Sequence, residues 1–413
     1  MKLNHNMFLK IKILDVSLLG FFLLMNAVFT FLGPIYTPVG YVMFLTGVCI
    51  LLFFIIFKFR LQCQNRMLIW YIIFWFIMLI SLLYSSTPSD GFSTIVYVGL
   101  FHIPVIMSCF MFCQNENNID KLIICYVLAS IILSVIVLKD GPIGIKNVRY
   151  GWSTTGGQPN TPALNLGAAV AFCLYLLKKE KNIIKKIIYI LFMILFSATI
   201  FLTGSRKILI YIAGIFIMDS LYSSKNMRKN MLKIFTVLVI FFFAYIILTQ
   251  NSVMYHTIGS RIFTNLSQEE SSSERAILRQ GAWRYFLSSP LIGNGIDTYK
   301  NVNTYHLYAH NNFLELLCGV GIIGTLLYYS FFVFITIKLW HARQNKLNLL
   351  FASVMIMTII IEWYNVNYLQ RGVFFVYALA YCQYSIEQRQ KNNIGTKQEP
   401  LYDRTFEFEQ RTF

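Results

Sequence analysis

Apolar positions along this chain fall in long uninterrupted blocks separated by short polar segments, unlike the periodic scatter of a soluble domain. A helix needs roughly 20 residues to cross the hydrocarbon of a bilayer, with about 17 as the lower limit. The blocks predict about twelve such helices. They run from Ile13 to Phe31, Val39 to Phe57, Met67 to Tyr84, Thr94 to Cys113, Leu122 to Leu138, Asn160 to Leu177, Ile187 to Thr203, Lys207 to Tyr222, Ile234 to Thr249, Phe313 to Ile337, Leu347 to Tyr364 and Arg371 to Ile386. The predicted class is an all-α integral membrane protein, because only helices and closed barrels satisfy their backbone groups in lipid. Nine spans occupy residues 1–249, a large loop 250–312, three more spans 313–386 and a polar tail 387–413.

Composition agrees: of 413 residues, 57% are hydrophobic and 13% charged. The first span follows Lys2, Lys10 and Lys12 and has the form of a signal anchor, with no small-residue cleavage motif after it. Placing that end in the cytoplasm puts Lys58, Arg60 and Arg66 inside, followed by the segments Lys178 to Lys186, Lys225 to Lys233 and Lys338 to Lys346. Roughly two-thirds of the 35 Lys and Arg residues then lie inside, the bias of the positive-inside rule. The net charge of +17 therefore reports topology and not nucleic-acid binding. The eight cysteines, nearly all within spans, show neither a disulfide framework nor a zinc spacing. Cys109 and Cys113 share a helical face and read as small buried thiols. No inverted repeat of the transporter kind is visible.

This topology leaves three external segments that exceed simple turns: Lys139 to Pro159, Gly204 to Lys207, and Gln250 to Asn312. The last, at roughly 60 residues, is too long for a structureless connection and reads as a lid or a small cap. Its middle is predicted helical, opening on the capping pair Ser271 and Glu274 and ending at Ser289-Pro290. Arg275 and Arg279 then share one face. Leu291 to Asp297 is a glycine-punctuated turn that could bring backbone close to a ligand, although a plain reversal is the simpler reading. Tyr305 to Asn312 places two imidazoles and two phenols near the membrane surface, where aromatic side chains collect in any case. His306 and His310 lack the third ligand a zinc site needs, so no metal or other cofactor is expected.

Arg149, Arg206, Arg261, Arg275, Arg279, Arg284 and Arg371 all fall on the side that should be poor in positive charge. External carboxylates are few and form no glycosidase-like acid pair. Structural pairing accounts for some of these arginines. A phosphate-bearing lipid is the other natural counterpart, since guanidinium grips phosphate bidentately.

Four external signatures resemble the O-antigen ligase and Wzy-type polysaccharide polymerase family across most of the chain. They are Arg149 with Gln158-Pro159-Asn160, Thr203-Gly204-Ser205-Arg206, Arg275 followed by Pro290-Leu291-Ile292-Gly293-Asn294-Gly295, and His310-Asn311-Asn312-Phe313-Leu314-Glu315 before Gly319-Val320-Gly321 and Gly324. One position departs from the pattern: the tryptophan usual four residues after the loop arginine is Arg279, with Trp283 one turn later. The resemblance implies a metal-independent, GT-C-like glycosyltransferase of the bacterial cytoplasmic (inner) membrane. Its substrate would be an oligosaccharide on undecaprenyl pyrophosphate, with membrane lipids as surroundings and a chain-length regulator as a further partner.

By the same resemblance, Arg206 and Arg275 would hold the pyrophosphate, Arg149 would be a third contact, Arg279 a weaker one, and Asn160 would line the site. His310, expected near its ordinary pKa of about 6.5, would activate the acceptor hydroxyl, and configuration would invert. Glu315 turns away from His310 on an ideal helix, so a structural ion pair is an equal reading for it. Polymerase is preferred to O-antigen ligase on compositional likeness to variable surface-polysaccharide clusters. A lipid-linked oligosaccharide flippase is the alternative of another class, disfavoured by the scarcity of charge in mid-membrane.

Overall fold

The computed structural model describes residues 64–143, 149–150, 160–222 and 270–395. The expected spans Ile13 to Phe31, Val39 to Phe57 and Ile234 to Thr249 lie outside the described residues, as do Arg261 and the tail beyond 395. The described chain forms helices α1 (Arg66–Ser81), α2 (Pro88–Phe112), α3 (Glu116–Asp140), α4 (Asn160–Lys179), α5 (Ile183–Thr203) and α6 (Arg206–Tyr222). They are followed by α7 (Glu270–Phe286), α8 (Thr298–Val302), α9 (Asn312–His341), α10 (Lys346–Ile361) and α11 (Arg371–Gly395). Short 3-10 turns, Leu82–Tyr84 and Glu362–Tyr364, extend α1 and α10. A two-residue antiparallel bridge pairs Pro142 with Tyr150 and Ile143 with Arg149.

Seven of these helices are long and apolar enough to cross a membrane: α1 and α10 with their 3-10 extensions, and α2, α3, α4, α5 and α9. The protein is a multi-pass membrane protein. Helix α6, with 17 residues, sits at the lower limit for a span. Local chemistry sets the starts. Asn65, Asn115, Asn182, Asn311 and Asn345 each cap a helix by accepting a hydrogen bond from a first-turn backbone N–H. Helix α2 begins several residues before the apolar block, because Pro88 is preorganised for the first turn.

Helix α4 is the hub, buried from Pro162 to Leu176 and packed against α3, α5, α6 and α10. Between helices in lipid there is little hydrophobic gain, so close packing around small residues does the holding. Gly214 of α6 receives the Met357 side chain of α10, where a Cβ would stand 2.4 Å from the sulfur. Gly99 makes room for the Trp75 indole, which donates to the Ile95 carbonyl at 3.0 Å.

Helix α9 runs for 30 residues but breaks at Gly321, whose φ of 64° and ψ of −168° lie outside helical space. From Ile322 to His341 it spans about 30 Å, enough to cross the hydrocarbon alone. Asn312 to Val320 therefore stands above that span, on the end of the bundle where the candidate residues gather.

Candidate functional site

The break in α9 is filled by the connection that precedes it. Ile322 N donates to the Pro290 carbonyl at 2.9 Å and Ile323 N to Leu291 at 3.2 Å, while Asn294 N and Gly295 N donate to Cys318 and Gly319 at 2.7 and 3.0 Å. These bonds satisfy backbone groups that the break frees, which a buried interruption of a helix requires. The Pro-Leu-Ile-Gly-Asn-Gly segment is thus more than a plain reversal. Its glycines let one backbone approach another.

Helix α7 rests on this platform through Leu278, Ala282 and Phe286, which pack with Tyr299, Ala309 and Cys318. The Cys318 thiol donates to the Ala282 carbonyl at 3.1 Å. That seating turns Arg275 and Arg279, one turn apart and both half-buried, toward His310. Arg279, which stands where the family pattern has tryptophan, contributes charge to this group, and Trp283 is exposed.

His310 occupies the left-handed region at φ 54°, immediately before the Asn311 cap of α9. Its ring lies 4.3 Å from that of Tyr308, centroid to centroid. Burial, then the charges of Arg275, Lys207 and Arg279, push its pKa down to about 4. The expectation of an ordinary imidazole is corrected here: the cations that would meet an anionic substrate also disfavour the imidazolium. His306, also at positive φ (50°), is exposed.

Two signatures far apart in sequence meet at the mouths of α4 and α6. Gly204 takes the left-handed conformation that ends α5, and the Ser205 hydroxyl hydrogen-bonds the Asn160 side chain at 3.1 Å. Arg206 follows as the first residue of α6. Lys207 donates to the Tyr364 carbonyl at 3.0 Å and to Asn365 Oδ1 at 2.8 Å. Because Lys207 also acts on His310, it links the Arg206 mouth to the group around the imidazole. Arg149 is described only through its backbone, in the bridge with Ile143, and its side chain lies outside the described residues.

Glu315 is buried and accepts a hydrogen bond from Ala309 N at 2.8 Å, with Asn311 accepting from Leu314 N at 3.0 Å. It fastens the His310 turn to α9 through this backbone bond. Below it lies a network that the sequence did not reveal. Asn312 donates to Tyr329 at 2.7 Å and to Glu362 at 3.2 Å, and its Oδ1 accepts from Asn367 N and Tyr368 N at 2.8 and 2.9 Å. Tyr329 and Tyr377 complete the bonding of the buried Glu362 carboxylate at 2.7 and 3.1 Å. Farther along, half-buried Arg371 lies over the rings of Tyr97 and Phe101 at 5.1 and 4.4 Å. Among the described residues no cluster of His, Cys, Asp and Glu could hold a metal ion.

Residues 190–329 match the family model described as O-Antigen ligase. Over that stretch the chain is similar to the O-antigen ligase family. The O-antigen ligase match begins within α5 and ends within α9, so it contains Arg206, Lys207, Arg275, Arg279, His310 and the broken helix. No curated protein matches the chain.

Proposed function

We propose that this protein is a metal-independent glycosyltransferase, specifically a polymerase that joins oligosaccharide repeat units carried on undecaprenyl pyrophosphate. It works at the extracytoplasmic face of a bacterial cytoplasmic membrane, with about twelve spans in a GT-C-like arrangement. The supporting observation is that the charges of Arg275, Lys207 and Arg279 act together on His310 at one end of the bundle, with Arg206 next to Lys207 in the chain and Asn160 bonded to Ser205. The basic-residue bias assigns that end to the outside.

Pyrophosphate is a competent leaving group, so the site must neutralise its developing charge, orient an acceptor hydroxyl and take one proton. Arg206 and Arg275 hold the pyrophosphate, with Arg149 as a third contact and Arg279 as a weaker one. Asn160 positions the Arg206 mouth through Ser205. The acceptor oxygen attacks the anomeric carbon, the bond from that carbon to the pyrophosphate oxygen breaks, and the hydroxyl proton passes to His310. Inversion follows from attack opposite the leaving group.

A pKa near 4 keeps His310 neutral before substrate arrives, ready to accept. Arrival of the pyrophosphate offsets the arginine charges, which raises the imidazole's proton affinity when the base is needed. The partners of this reading are the lipid-linked oligosaccharide, membrane lipids and a chain-length regulator.

The test is surface glycan from a deletion strain complemented with variants present at normal abundance. His310→Ala or Arg206→Ala should leave glycan that stops at a single repeat unit, and full-length polymer from either overturns the site. Polymer that accumulates on its carrier without reaching lipid A identifies a ligase instead. Loss of outward-facing carrier-linked units identifies a flippase.

A further inference from the structure

At the end of the bundle opposite His310, a cavity of about 250 Å³ opens between α4, α6 and α10. Its rim carries Lys178, Asp219 and Lys346, and its wall includes Leu174 and Leu350. Lys178 is ion-paired with Asp219. Lys346, the first residue of α10, is exposed, and among the described residues no carboxylate pairs with it. Ser353 also lines the cavity, seven residues along the same helix, or about 10 Å deeper. Its side chain is 1% exposed and its hydroxyl has no hydrogen-bond partner. A buried hydroxyl without a partner loses its water without compensation, and helical serines ordinarily bond back to the preceding turn. Ser353 is nevertheless among the residues that line the cavity.

The order of chemistry from mouth to floor is cationic rim, apolar wall and one hydroxyl donor. We infer that this cavity is a binding site for an anionic phospholipid of the cytoplasmic leaflet, a phosphatidylglycerol-type lipid. The phosphodiester sits between Lys178 and Lys346, an ester carbonyl accepts from the Ser353 hydroxyl, and the first methylenes lie along Leu174 and Leu350. Asp219 accepts from a headgroup hydroxyl, which a glycerol headgroup supplies. Ser353 lies below the rim, so a free phosphate held between the two lysines would leave its hydroxyl unmet, whereas a lipid extends from the rim toward it. Basic pockets between spans on the cytoplasmic side are suited to such headgroups. The site is separate from the group around His310, and its test needs no transferase activity.

Full-length protein, delipidated in detergent, is titrated with phosphatidylglycerol, phosphatidylethanolamine or inorganic phosphate while bound lipid and thermal melting are followed. Phosphatidylglycerol should bind and raise the melting temperature. Lys346→Gln, an exposed rim change, should weaken that binding about fivefold, the worth of one lysine at a membrane surface. Ser353→Ala should melt no lower than the parent without lipid, because it removes an orphaned hydroxyl, yet lose part of the lipid's effect. Unchanged phosphatidylglycerol binding in both variants overturns the site. Equal protection by inorganic phosphate overturns the lipid assignment, and equal binding of phosphatidylethanolamine overturns the anionic one.

Discussion

Gly293 and Gly321 face each other so closely that neither position admits a side chain. A Cβ on Gly321 would stand 2.4 Å from the Leu291 carbonyl oxygen and 2.5 Å from Gly293 N, and one on Gly293 would stand 2.6 Å from Gly321 N. Both also hold positive φ, 76° and 64°. Gly141 offers a control, with φ 69° but no atom within 4 Å of a Cβ. Gly141→Ala should cost only the backbone strain, about 1–3 kcal/mol. Gly321→Ala should cost that and also displace the 290–295 segment, so that α7 loses its seat and transfer activity disappears. Thermal melting of the two variants in detergent separates the effects, and equal melting temperatures would contradict the zipped break.

The His310 environment sets a pH dependence. Its folded pKa of about 4 lies below the ordinary 6.5, so the fold favours the neutral ring. That contribution to stability is complete above pH 6.5 and is lost as pH falls through about 4. For activity, kcat/KM reports the free enzyme, so its acid limb should fall near pH 4. Arg275→Gln removes the charge that acts most strongly on the ring and should move this limb toward 6.5 while weakening substrate binding. An acid limb that stays put in Arg275→Gln would show that another group takes the proton.

Asn312 is the joint between α9, the end of α10 and the turn before α11. Asn312→Ala strands the backbone N–H groups of Asn367 and Tyr368 in a buried place, and should cost about 3 kcal/mol, roughly 1–3 for each orphaned group less partial relaxation. Asn312→Asp keeps an acceptor for those two groups but sets a second carboxylate beside Glu362, so it should not rescue stability at neutral pH. Melting curves for the two variants check this, and parent-like stability in either contradicts the network.

Hydropathy made the spans legible, because a block such as Leu122 to Leu138 has no other use in water, and α3 indeed covers it. The break at Gly321 was hidden inside an apolar run, where nothing local distinguishes a glycine that packs from one that interrupts. Its signal was nonlocal, the presence of a second glycine motif at 293 and 295. The Ser205–Asn160 bond joins residues 45 apart, and the Glu362 network gathers Asn312, Tyr329 and Tyr377 from two other helices. Spacing along one helix cannot disclose such pairs. In the sequence Lys207 reads only as the first residue of a span. Its visible sign was a second positive charge beside Arg206 on the side expected to be poor in cations.

Glu315 and His310 are five residues apart, and substitution separates a base from a fastening. The Glu315 carboxylate accepts from Ala309 N, a bond that a glutamine carbonyl can also accept. Glu315→Gln should therefore fold and retain activity within a few-fold, whereas Glu315→Ala should lose about 1 kcal/mol, as helix-cap deletions do. His310→Gln removes the proposed proton acceptor and should lower kcat by about 100-fold or more with little change in stability at neutral pH. Turnover of lipid-linked substrate by purified protein, read beside melting temperature, distinguishes the cases. A collapse of kcat in a well-folded Glu315→Gln protein would transfer the proton-accepting role to Glu315, and the left-handed turn at His310 would then serve to aim the helix instead.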